Sequence, residues 1–279
     1  MIYSAATQAS PVVVVTGGFG GLGLAMAAVF VSAGWKVALL DFVDTNRAEA
    51  DEILAGDGIT VVCDVSSRLS CDSAIKTTVE ALGRVDALVN GAGMMQPLAS
   101  HLITDSHWDL IVDSHARGTM HMSNAALTAL LLSPHPSIVN ISSVGAAVGM
   151  PGRLAYNAAK SAIESITRTL ASEWGRNGIR VNAIAPGFIM TAKAREMYQT
   201  GFADASFRSE RTSLGRLGEP SEIASVVHWL SSPAASYVSG AVIPVDGGFL
   251  SDGRTGEDNV SPTTEELIVF ANVNLGPVA

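Results

Sequence analysis

Short apolar runs alternate along the chain with longer segments in which apolar residues recur every three or four positions. The short runs predict buried strands at Val12–Val15, Lys36–Leu40, Gly58–Val62, Ala87–Val89, Ser137–Ile141, Arg180–Ile184 and Ala241–Val245. The longer segments predict helices at Leu22–Ala33, Ser70–Leu82, about Asp105 to Leu132, Tyr156–Trp174 and Ser221–Leu230. Apolar strands separated by helices indicate a parallel sheet covered on both faces.

Right-handed crossovers between such strands produce a doubly wound parallel α/β sheet, so we expect one Rossmann-type domain over residues 1–250. Residues 188–213 interrupt the alternation without a strong period, which is typical of a substrate lid. Residues 251–279 form a C-terminal extension that turns apolar over Leu267–Val273. We expect this apolar part to pack on a neighbouring subunit or near the pocket mouth.

Composition excludes several classes of protein. Of the 279 residues 48% are hydrophobic and 15% charged, and the net charge of −9 does not suggest the basic face of a nucleic-acid binder. No apolar run approaches the ~20 residues of a membrane span, and Met1–Ser10 lacks the basic and apolar regions of a signal peptide. The sparse charge fits either large subunit contacts or a merely alanine-rich core.

The two cysteines are too few for a disulfide framework, and they fit a reducing, cytoplasmic environment. Cys63 lies in the apolar run Ile59–Val65, so we expect a buried structural thiol.

A glycine-rich turn, Thr16-Gly-Gly-Phe-Gly-Gly-Leu-Gly23, lies between the first strand and the first helix. Glycines let the backbone approach a pyrophosphate closely, and the helix N-terminus offers free N–H groups to that anion. An ordinary glycine-rich turn is the alternative. The position between strand and helix favours a dinucleotide site.

Asp41 ends the second strand, eighteen residues after Gly23, where an acid can accept hydrogen bonds from the adenosine ribose. Its carboxylate would repel a 2′-phosphate, and Phe42 and Val43 offer no cation to offset that repulsion. The cofactor is therefore predicted to be NAD. A solvated strand-end acid is the alternative.

Tyr156 and Lys160 lie one helical turn apart and share a face of the predicted helix. An ammonium near a phenol favours the phenolate and lowers its pKa, so Tyr156 could act as general base towards an alcohol or as general acid towards a ketone. By itself such a pair is usually a surface coincidence.

Taken together, the motifs resemble the short-chain dehydrogenase/reductase family over roughly residues 11–249. Thr16–Gly23 matches its TGxxxGxG, Asn90–Gly93 resembles its NNAG with Gly91 in place of the second Asn, and Ser143, Tyr156 and Lys160 fit its S…YxxxK. The resemblance implies that Ser143 holds the substrate oxygen, Tyr156 transfers the proton, and Lys160 binds the nicotinamide ribose. It also implies a homotetramer acting on a small-molecule alcohol or ketone.

The resemblance further implies the residues that bind the cofactor. Asp64 would contact the adenine, and Ile189 and Thr191 would hold the carboxamide. The full predicted set is Gly17, Phe19, Gly21, Leu22, Gly23, Asp41, Phe42, Asp64, Val65, Asn90, Gly91, Ala92, Tyr156, Lys160, Pro186, Gly187, Ile189 and Thr191.

His115 departs from the family pattern, which normally has an Asn that supports a water in a proton relay from the Lys. An imidazole can donate and accept hydrogen bonds and could serve as a catalytic residue, or His115 could be a packed helix residue. If it belongs to the relay, alcohol oxidation should weaken below the imidazole pKa, near ~6.5 if unperturbed. The chain's histidines lack an accompanying carboxylate cluster, so no metal site is predicted.

The sequence is compatible with three functions. The first is NAD(H)-dependent interconversion of a secondary alcohol and a ketone. The second is NADPH-dependent reduction of a 3-ketoacyl thioester, against which Asp41 argues. The third is a non-catalytic NAD(H)-binding regulatory protein, against which the joint presence of Ser143, Tyr156 and Lys160 argues. Arg195, Arg208 and Arg211 could read an anionic group of the substrate or be solvated lid charges.

Overall fold

Residues 10–200, 204–252 and 264–275 are described by the computed structural model of the chain, the last six of these by backbone alone. The expectation for Met1–Ser10 therefore falls almost entirely outside the described residues. The strands are β1 Val12–Thr16, β2 Lys36–Asp41, β3 Gly58–Val62, β4 Ala87–Asn90, β5 Ser137–Ile141, β6 Arg180–Pro186 and β7 Val242–Val245. The α-helices are α1 Gly21–Ser32, α2 Arg47–Leu54, α3 Arg68–Leu82, α4 Asp105–Val112, α5 Gly118–Leu130, α6 Leu154–Trp174, α7 Ala192–Gln199, α8 Ala205–Glu210, α9 Pro220–Ser231 and α10 Thr264–Leu275.

The seven strands form one parallel sheet in the order β3-β2-β1-β4-β5-β6-β7, which confirms the predicted doubly wound fold. The strand order reverses between β1 and β4, and ligands of such sheets bind outside the carboxyl ends of the strands at this point. All seven predicted strands are present, with ends shifted by a residue or two.

The sheet is covered on both faces, as its apolar strands require. On one face Met26, Phe30, Ile223 and Val227 join α1 and α9 in a buried cluster. On the other face Cys71, Ile75, Met122 and Ala126 do the same for α3 and α5. Cys63 is 2% exposed and carries a free thiol, which confirms the predicted buried cysteine.

Local signals in the sequence set several helix ends. The Ser67 side chain accepts a hydrogen bond from the Ser70 N–H at the start of α3, and Gly83 ends that helix in a left-handed conformation. At the start of α9 the Glu222 side chain accepts a hydrogen bond from the Glu219 N–H at 2.8 Å, and Pro220 occupies the first turn.

The long helix predicted from Asp105 to Leu132 is interrupted. A π-helical turn, Asp113–Arg117, separates α4 from α5 and contains His115. Such turns insert a residue into the helical repeat and occur often at functional sites. Hydrophobic periodicity alone did not predict it.

The expected lid is also more regular than its sequence suggested, because α7 and α8 lie within residues 188–213.

The C-terminal extension contains α10, and the side chains of Leu267, Ile268 and Val269 in this helix are more than half exposed. Packing of Leu267–Val273 on a neighbouring subunit and packing near the pocket mouth both stay predictions; residues 253–263 and 276–279 lie outside the described residues. Within the described part of the chain, no helix combines the length and apolar character needed to cross a membrane.

Candidate active site

The glycine-rich turn leaves β1 and enters α1 directly at Gly21. A Cβ atom on Gly23 would lie 2.4 Å from the Gly17 carbonyl oxygen, so the turn can close only with glycine at this position. The backbone N–H groups of the first turn of α1 are thus free to bind an anion at the carboxyl edge of the sheet. Leu22 packs against the core beneath.

Thr16 joins this turn to the segment after β4. Its hydroxyl oxygen accepts hydrogen bonds from the N–H groups of Gly91 at 3.0 Å and Ala92 at 3.1 Å. Thr16 belongs to the sequence motif, but the motif alone does not predict this role of its hydroxyl. The contact fixes the spacing between two predicted cofactor-binding segments.

Asp41 lies beside the turn at the end of β2. Its Oδ2 accepts a hydrogen bond from the Phe19 N–H at 3.0 Å, and its Oδ1 accepts one from the Phe42 N–H at 2.8 Å. Asn46 donates from its side chain to the Phe19 carbonyl at 3.1 Å and has a positive φ of 66°. Sequence reasoning missed Asn46, because a left-handed Asn has no periodic signal.

The nearest candidate for a phosphate-binding cation is engaged elsewhere. Arg47 Nη1 pairs with Asp44 at 3.0 Å, and its Nε donates to the Thr60 hydroxyl at 3.1 Å. The described contacts of Arg47 therefore leave the Asp41 carboxylate without a compensating positive charge at the end of β2.

Asp64 and Val65 follow β3 at the same edge. The Asp64 Oδ1 accepts hydrogen bonds from the Ser66 N–H at 2.9 Å and from the Ser66 hydroxyl at 2.7 Å. The Val65 carbonyl lies 3.2 Å from His121 Nδ1. The loop is thus held in one conformation beside the predicted adenine site.

The side chain of Asn90 is buried, with 4% of its surface exposed, and so is not open to the carboxyl edge of the sheet. Its Nδ2 donates to Asn140 Oδ1 at 2.8 Å and lies 3.1 Å from the Ser123 hydroxyl, and Asn140 in turn donates to Thr167 at 2.9 Å. Sequence reasoning missed this buried network, which ties β4 and β5 to α6 beneath the predicted catalytic residues.

The opposite wall is formed by the segment after β6. Gly187 donates to the Val245 carbonyl at 3.1 Å, next to Pro186 at the end of the strand. Ile189 forms a bridge with Gly218, and Thr191 caps α7. A Cβ on Gly21 would lie 3.2 Å from the Thr191 Cβ, so this wall meets the glycine-rich turn directly.

Ser143, Tyr156 and Lys160 come together where β5 and α6 meet. Ser143 follows β5, and its hydroxyl accepts a hydrogen bond from the Gly145 N–H at 3.0 Å. The Lys160 Nζ lies 5.5 Å from the centre of the Tyr156 ring and donates to the Ile141 carbonyl at 2.7 Å. The predicted shared face of the helix thus brings phenol, ammonium and serine hydroxyl to one place.

Burial dominates the ionisation of both groups. It raises the pKa of Tyr156, while the Ser143 hydroxyl and the Arg153 charge act in the opposite direction. Burial lowers the pKa of Lys160 to about 7. The expectation that Lys160 lowers the pKa of Tyr156 is wrong for these side chains on their own: the phenol is held protonated at neutral pH.

His115 packs edge-to-face on Tyr156, with ring centres 5.3 Å apart. Its Nε2 lies 2.8 Å from the Met94 carbonyl, which requires Nε2 to carry the proton and leaves Nδ1 as an acceptor. Nδ1 is buried and has no hydrogen-bond partner among the described residues. A Cβ on Gly93 would lie 1.9 Å from the ring, so the imidazole fits only because residue 93 is glycine.

Burial and the nearby Lys160 charge lower the pKa of His115 to about 3. The predicted loss of alcohol oxidation below pH 6.5 is therefore wrong, because the imidazole stays neutral at neutral and mildly acidic pH. We expect kcat profiles of the wild type and His115→Asn to share one shape at neutral and mildly acidic pH.

A His115→Ala variant separates the two readings of this residue. If Nδ1 accepts a hydrogen bond needed for proton transfer, His115→Ala loses turnover while His115→Asn retains it, and circular dichroism shows both variants folded at the assay temperature. Equal kcat values for all three proteins would show that the ring only fills space.

No group of three or more histidine, cysteine or carboxylate side chains in the described ranges is placed to hold a metal ion.

Comparisons with known proteins give relatives that span most of the chain. A family model described as enoyl-(acyl carrier protein) reductase matches residues 18–250. An uncharacterized oxidoreductase of Mycobacterium bovis is 38% identical over 237 residues, which are 84% of this chain and 95% of that protein. The 3-oxoacyl-[acyl-carrier-protein] reductase FabG of Thermotoga maritima is 32% identical over 242 residues, 86% of this chain and 97% of that protein. The structure of ElxO with NADP bound is similar with a TM-score of 0.82 at 25% identity, covering 87% of this chain and 100% of that one.

Proposed function

The chain belongs to the short-chain dehydrogenase/reductase family and is an oxidoreductase that acts on CH–OH groups, and from this premise we propose that it interconverts a secondary alcohol and a ketone with NAD(H). The observation that carries the proposal is the convergence of Ser143, Tyr156 and Lys160 where β5 meets α6. A site that only bound a cofactor would not need a buried phenol and a buried ammonium together.

The residues present fit a nicotinamide dinucleotide. The glycine-rich turn forms a cradle that a Cβ at residue 23 would fill, and Asp41 lies at the end of β2 where the adenosine ribose is expected. When bound, the cofactor would supply or accept the hydride.

The chain's own groups handle the substrate oxygen and its proton. The Ser143 hydroxyl orients that oxygen, and Tyr156 gives a proton to it when a ketone is reduced or takes the hydroxyl proton when an alcohol is oxidised. In oxidation the carbinol C–H bond breaks as hydride leaves, the C=O bond forms, and the proton remains on the phenol. Burial keeps the phenol protonated, as ketone reduction requires, whereas alcohol oxidation first requires the phenol to lose its proton. Lys160 would hydrogen-bond the nicotinamide ribose.

The choice of NAD over NADP rests on Asp41. A 2′-phosphate at this position would meet a carboxylate whose neighbours Phe42 and Val43 are exposed apolar residues. We expect NAD to be preferred by a factor of about ten or more in kcat/KM, which corresponds to ~1.4 kcal/mol.

Two variants and a control test this choice. Asp41→Asn keeps an acceptor for the Phe19 N–H but removes the charge, so NADPH affinity should rise in fluorescence titrations. Asp41→Ala should also reduce the preference for NAD over NADP in kcat/KM. Asp57 is exposed, and Asp57→Ala should leave that preference unchanged. Comparable kcat/KM for NAD and NADP in the wild type would contradict the proposal.

NADPH-dependent reduction of a 3-ketoacyl thioester is the second candidate. It is favoured by the similarity to the Thermotoga maritima reductase and by the NADP-bound structure of ElxO. The Asp41 carboxylate opposes it. A panel of secondary alcohols with NAD, run beside a 3-ketoacyl thioester with NADPH, separates the two by the rate at which nicotinamide absorbance changes.

We also propose a cytoplasmic homotetramer. The free buried thiols Cys63 and Cys71 suit a reducing compartment. The exposed apolar side chains Trp108, Leu110 and Met120, on α4 and α5, suit subunit contacts. Light scattering measures the number of subunits, and cell fractionation tests the cytoplasmic location.

A further inference from the structure

The loop that carries Ser143 is attached to the helix that carries Tyr156. We call residues 142–148 the serine loop; it follows β5 and contains a 3₁₀ turn. Asn157, the residue directly after Tyr156 on α6, donates a hydrogen bond from its Nδ2 to the Val148 carbonyl at 3.2 Å. One side chain of α6 thus holds the far end of the serine loop.

The same amide touches the middle of the serine loop with its oxygen. A Cβ atom built on Gly145 would lie 2.6 Å from Asn157 Oδ1 and 3.4 Å from the Ser143 Oγ. The amide oxygen and the serine oxygen therefore flank one point of the loop, and the amide fits there because residue 145 is glycine. Asn157 contacts the loop at two places, residues 145 and 148.

Gly145 is the residue that orients the serine hydroxyl. Its N–H donates to the Ser143 Oγ at 3.0 Å, which occupies one acceptor site of that oxygen and leaves its proton free for another partner. A shift of residue 145 would therefore move or release the Ser143 hydroxyl. The contacts of Asn157 with the loop oppose such a shift.

Ser161, one helical turn after Asn157, holds the same loop less firmly. Its hydroxyl lies 3.1 Å from the Ala146 carbonyl and 3.0 Å from the Asn157 carbonyl, and its single proton is shared between them. Ser161 is exposed, so water competes for both bonds. The half-buried Asn157 is the stronger attachment of the serine loop to α6.

The amide of Asn157 is not explained by the stability of the fold. Its Oδ1 is buried and has no hydrogen-bond partner among the described residues. A buried acceptor without a donor lowers stability, and an apolar side chain at this position would not carry that cost. The amide is better explained by what its donor and its shape do to the serine loop.

We propose that Asn157 is a positioning residue, which fixes the serine loop relative to Tyr156 and so directs the Ser143 hydroxyl towards the substrate oxygen. Adjacent positions on α6 thereby set the proton donor and the loop that orients the substrate. A small displacement of such a group is costly, because the reacting atoms must meet in one geometry. The inference rests on the proposed function and adds a residue to the same site.

A double-mutant cycle distinguishes positioning from a general loosening of the site. We would measure NADH-linked reduction of a neutral ketone by the wild type, Asn157→Ala, Ser143→Ala and the double variant. Asn157→Ala should lower kcat at least about tenfold, which corresponds to ~1.4 kcal/mol, and leave the KM for NADH unchanged. In the Ser143→Ala background the same substitution should change kcat by less than about twofold, because the hydroxyl that Asn157 positions is absent.

Gly145→Ala tests the contact from the side of the loop. Its new Cβ would displace the Asn157 amide, so kcat should fall in the wild-type background. Asn157→Ala removes the clashing oxygen, and Gly145→Ala should then lower kcat less than it does in the wild type. Asn177→Ala is the control, because it truncates an exposed asparagine in the turn after α6 and should leave kcat unchanged.

Hydrogen exchange measures the serine loop independently of turnover. Followed by mass spectrometry, the amide hydrogens of residues 142–148 should exchange at least about tenfold faster in Asn157→Ala than in the wild type, while those of β1 keep their rate. Unchanged exchange in the loop, or effects of Asn157→Ala and Ser143→Ala on kcat that simply multiply, overturns the positioning role while the proposed function stands. Faster exchange in a protein whose wild type reduces no ketone overturns the proposed function, while the attachment of the loop by Asn157 stands.

Discussion

Tyr156→Phe should lower kcat by about 10²- to 10⁴-fold, the range typical of losing a general acid or base. The substitution removes the proton-transfer group and keeps the ring that packs against His115 at 5.3 Å. Because the phenol is not part of the glycine-rich cradle, NADH should still bind. The measurement is kcat together with an NADH fluorescence titration of both proteins.

Tyr237→Phe is the matched control, because it removes the hydroxyl of a fully exposed tyrosine that is not part of the predicted site. It should cost far less than Tyr156→Phe when a neutral ketone is the substrate. Most of the activity surviving in Tyr156→Phe would refute the assigned role.

Lys160→Met should lower kcat/KM by roughly 10- to 150-fold, since a hydrogen bond to a charged group contributes about 1.5–3 kcal/mol. The same change should stabilise the protein without added cofactor. Lys160 is 4% exposed, its amine is held by one carbonyl, and the buried ammonium opposes folding.

The pH dependence of stability identifies the cause. Burial lowers the folded-state pKa of Lys160 to about 7 from an ordinary value of 10.5. Between these two values the unfolded chain binds more protons, so the contribution of Lys160 to stability rises with pH. The free energy of unfolding of Lys160→Met should exceed that of the wild type most below pH 7, and the difference should shrink towards pH 10.5.

Urea unfolding at several pH values measures this difference directly. Lys76→Met is the control, because Lys76 is an exposed lysine whose ammonium lies 3.7 Å from Glu80. A Lys160→Met protein that is less stable than the wild type at every pH would show that the ammonium supports the fold rather than straining it.

The parts of this structure that follow local rules could be predicted from the sequence. The runs of valine in β1 and the glycine spacing before α1 define a strand, a turn and a helix by sterics alone. The four-residue spacing of Tyr156 and Lys160 places them on one helix face for the same reason.

Features that depend on tertiary contacts could not be predicted in this way. The π-turn at Asp113–Arg117 has no periodic signature, and the hydrogen bond of Thr16 to the segment after β4 joins residues 75 and 76 positions apart. The direction of the pKa shift of Tyr156 was predicted wrongly, because sequence spacing shows the neighbouring charge but not the burial that outweighs it.

Transfer of isotope from a secondary alcohol tests the central proposal most directly. An alcohol that the enzyme oxidises, labelled with deuterium on its carbinol carbon, is incubated with NAD or with NADP, and the reduced cofactor is weighed by mass spectrometry. The account predicts deuterium in the reduced NAD of the wild type, far less in reduced NADP, and almost none with Tyr156→Phe. Deuterium that never reaches NAD from any secondary alcohol, or that reaches it equally with Tyr156→Phe, would contradict it.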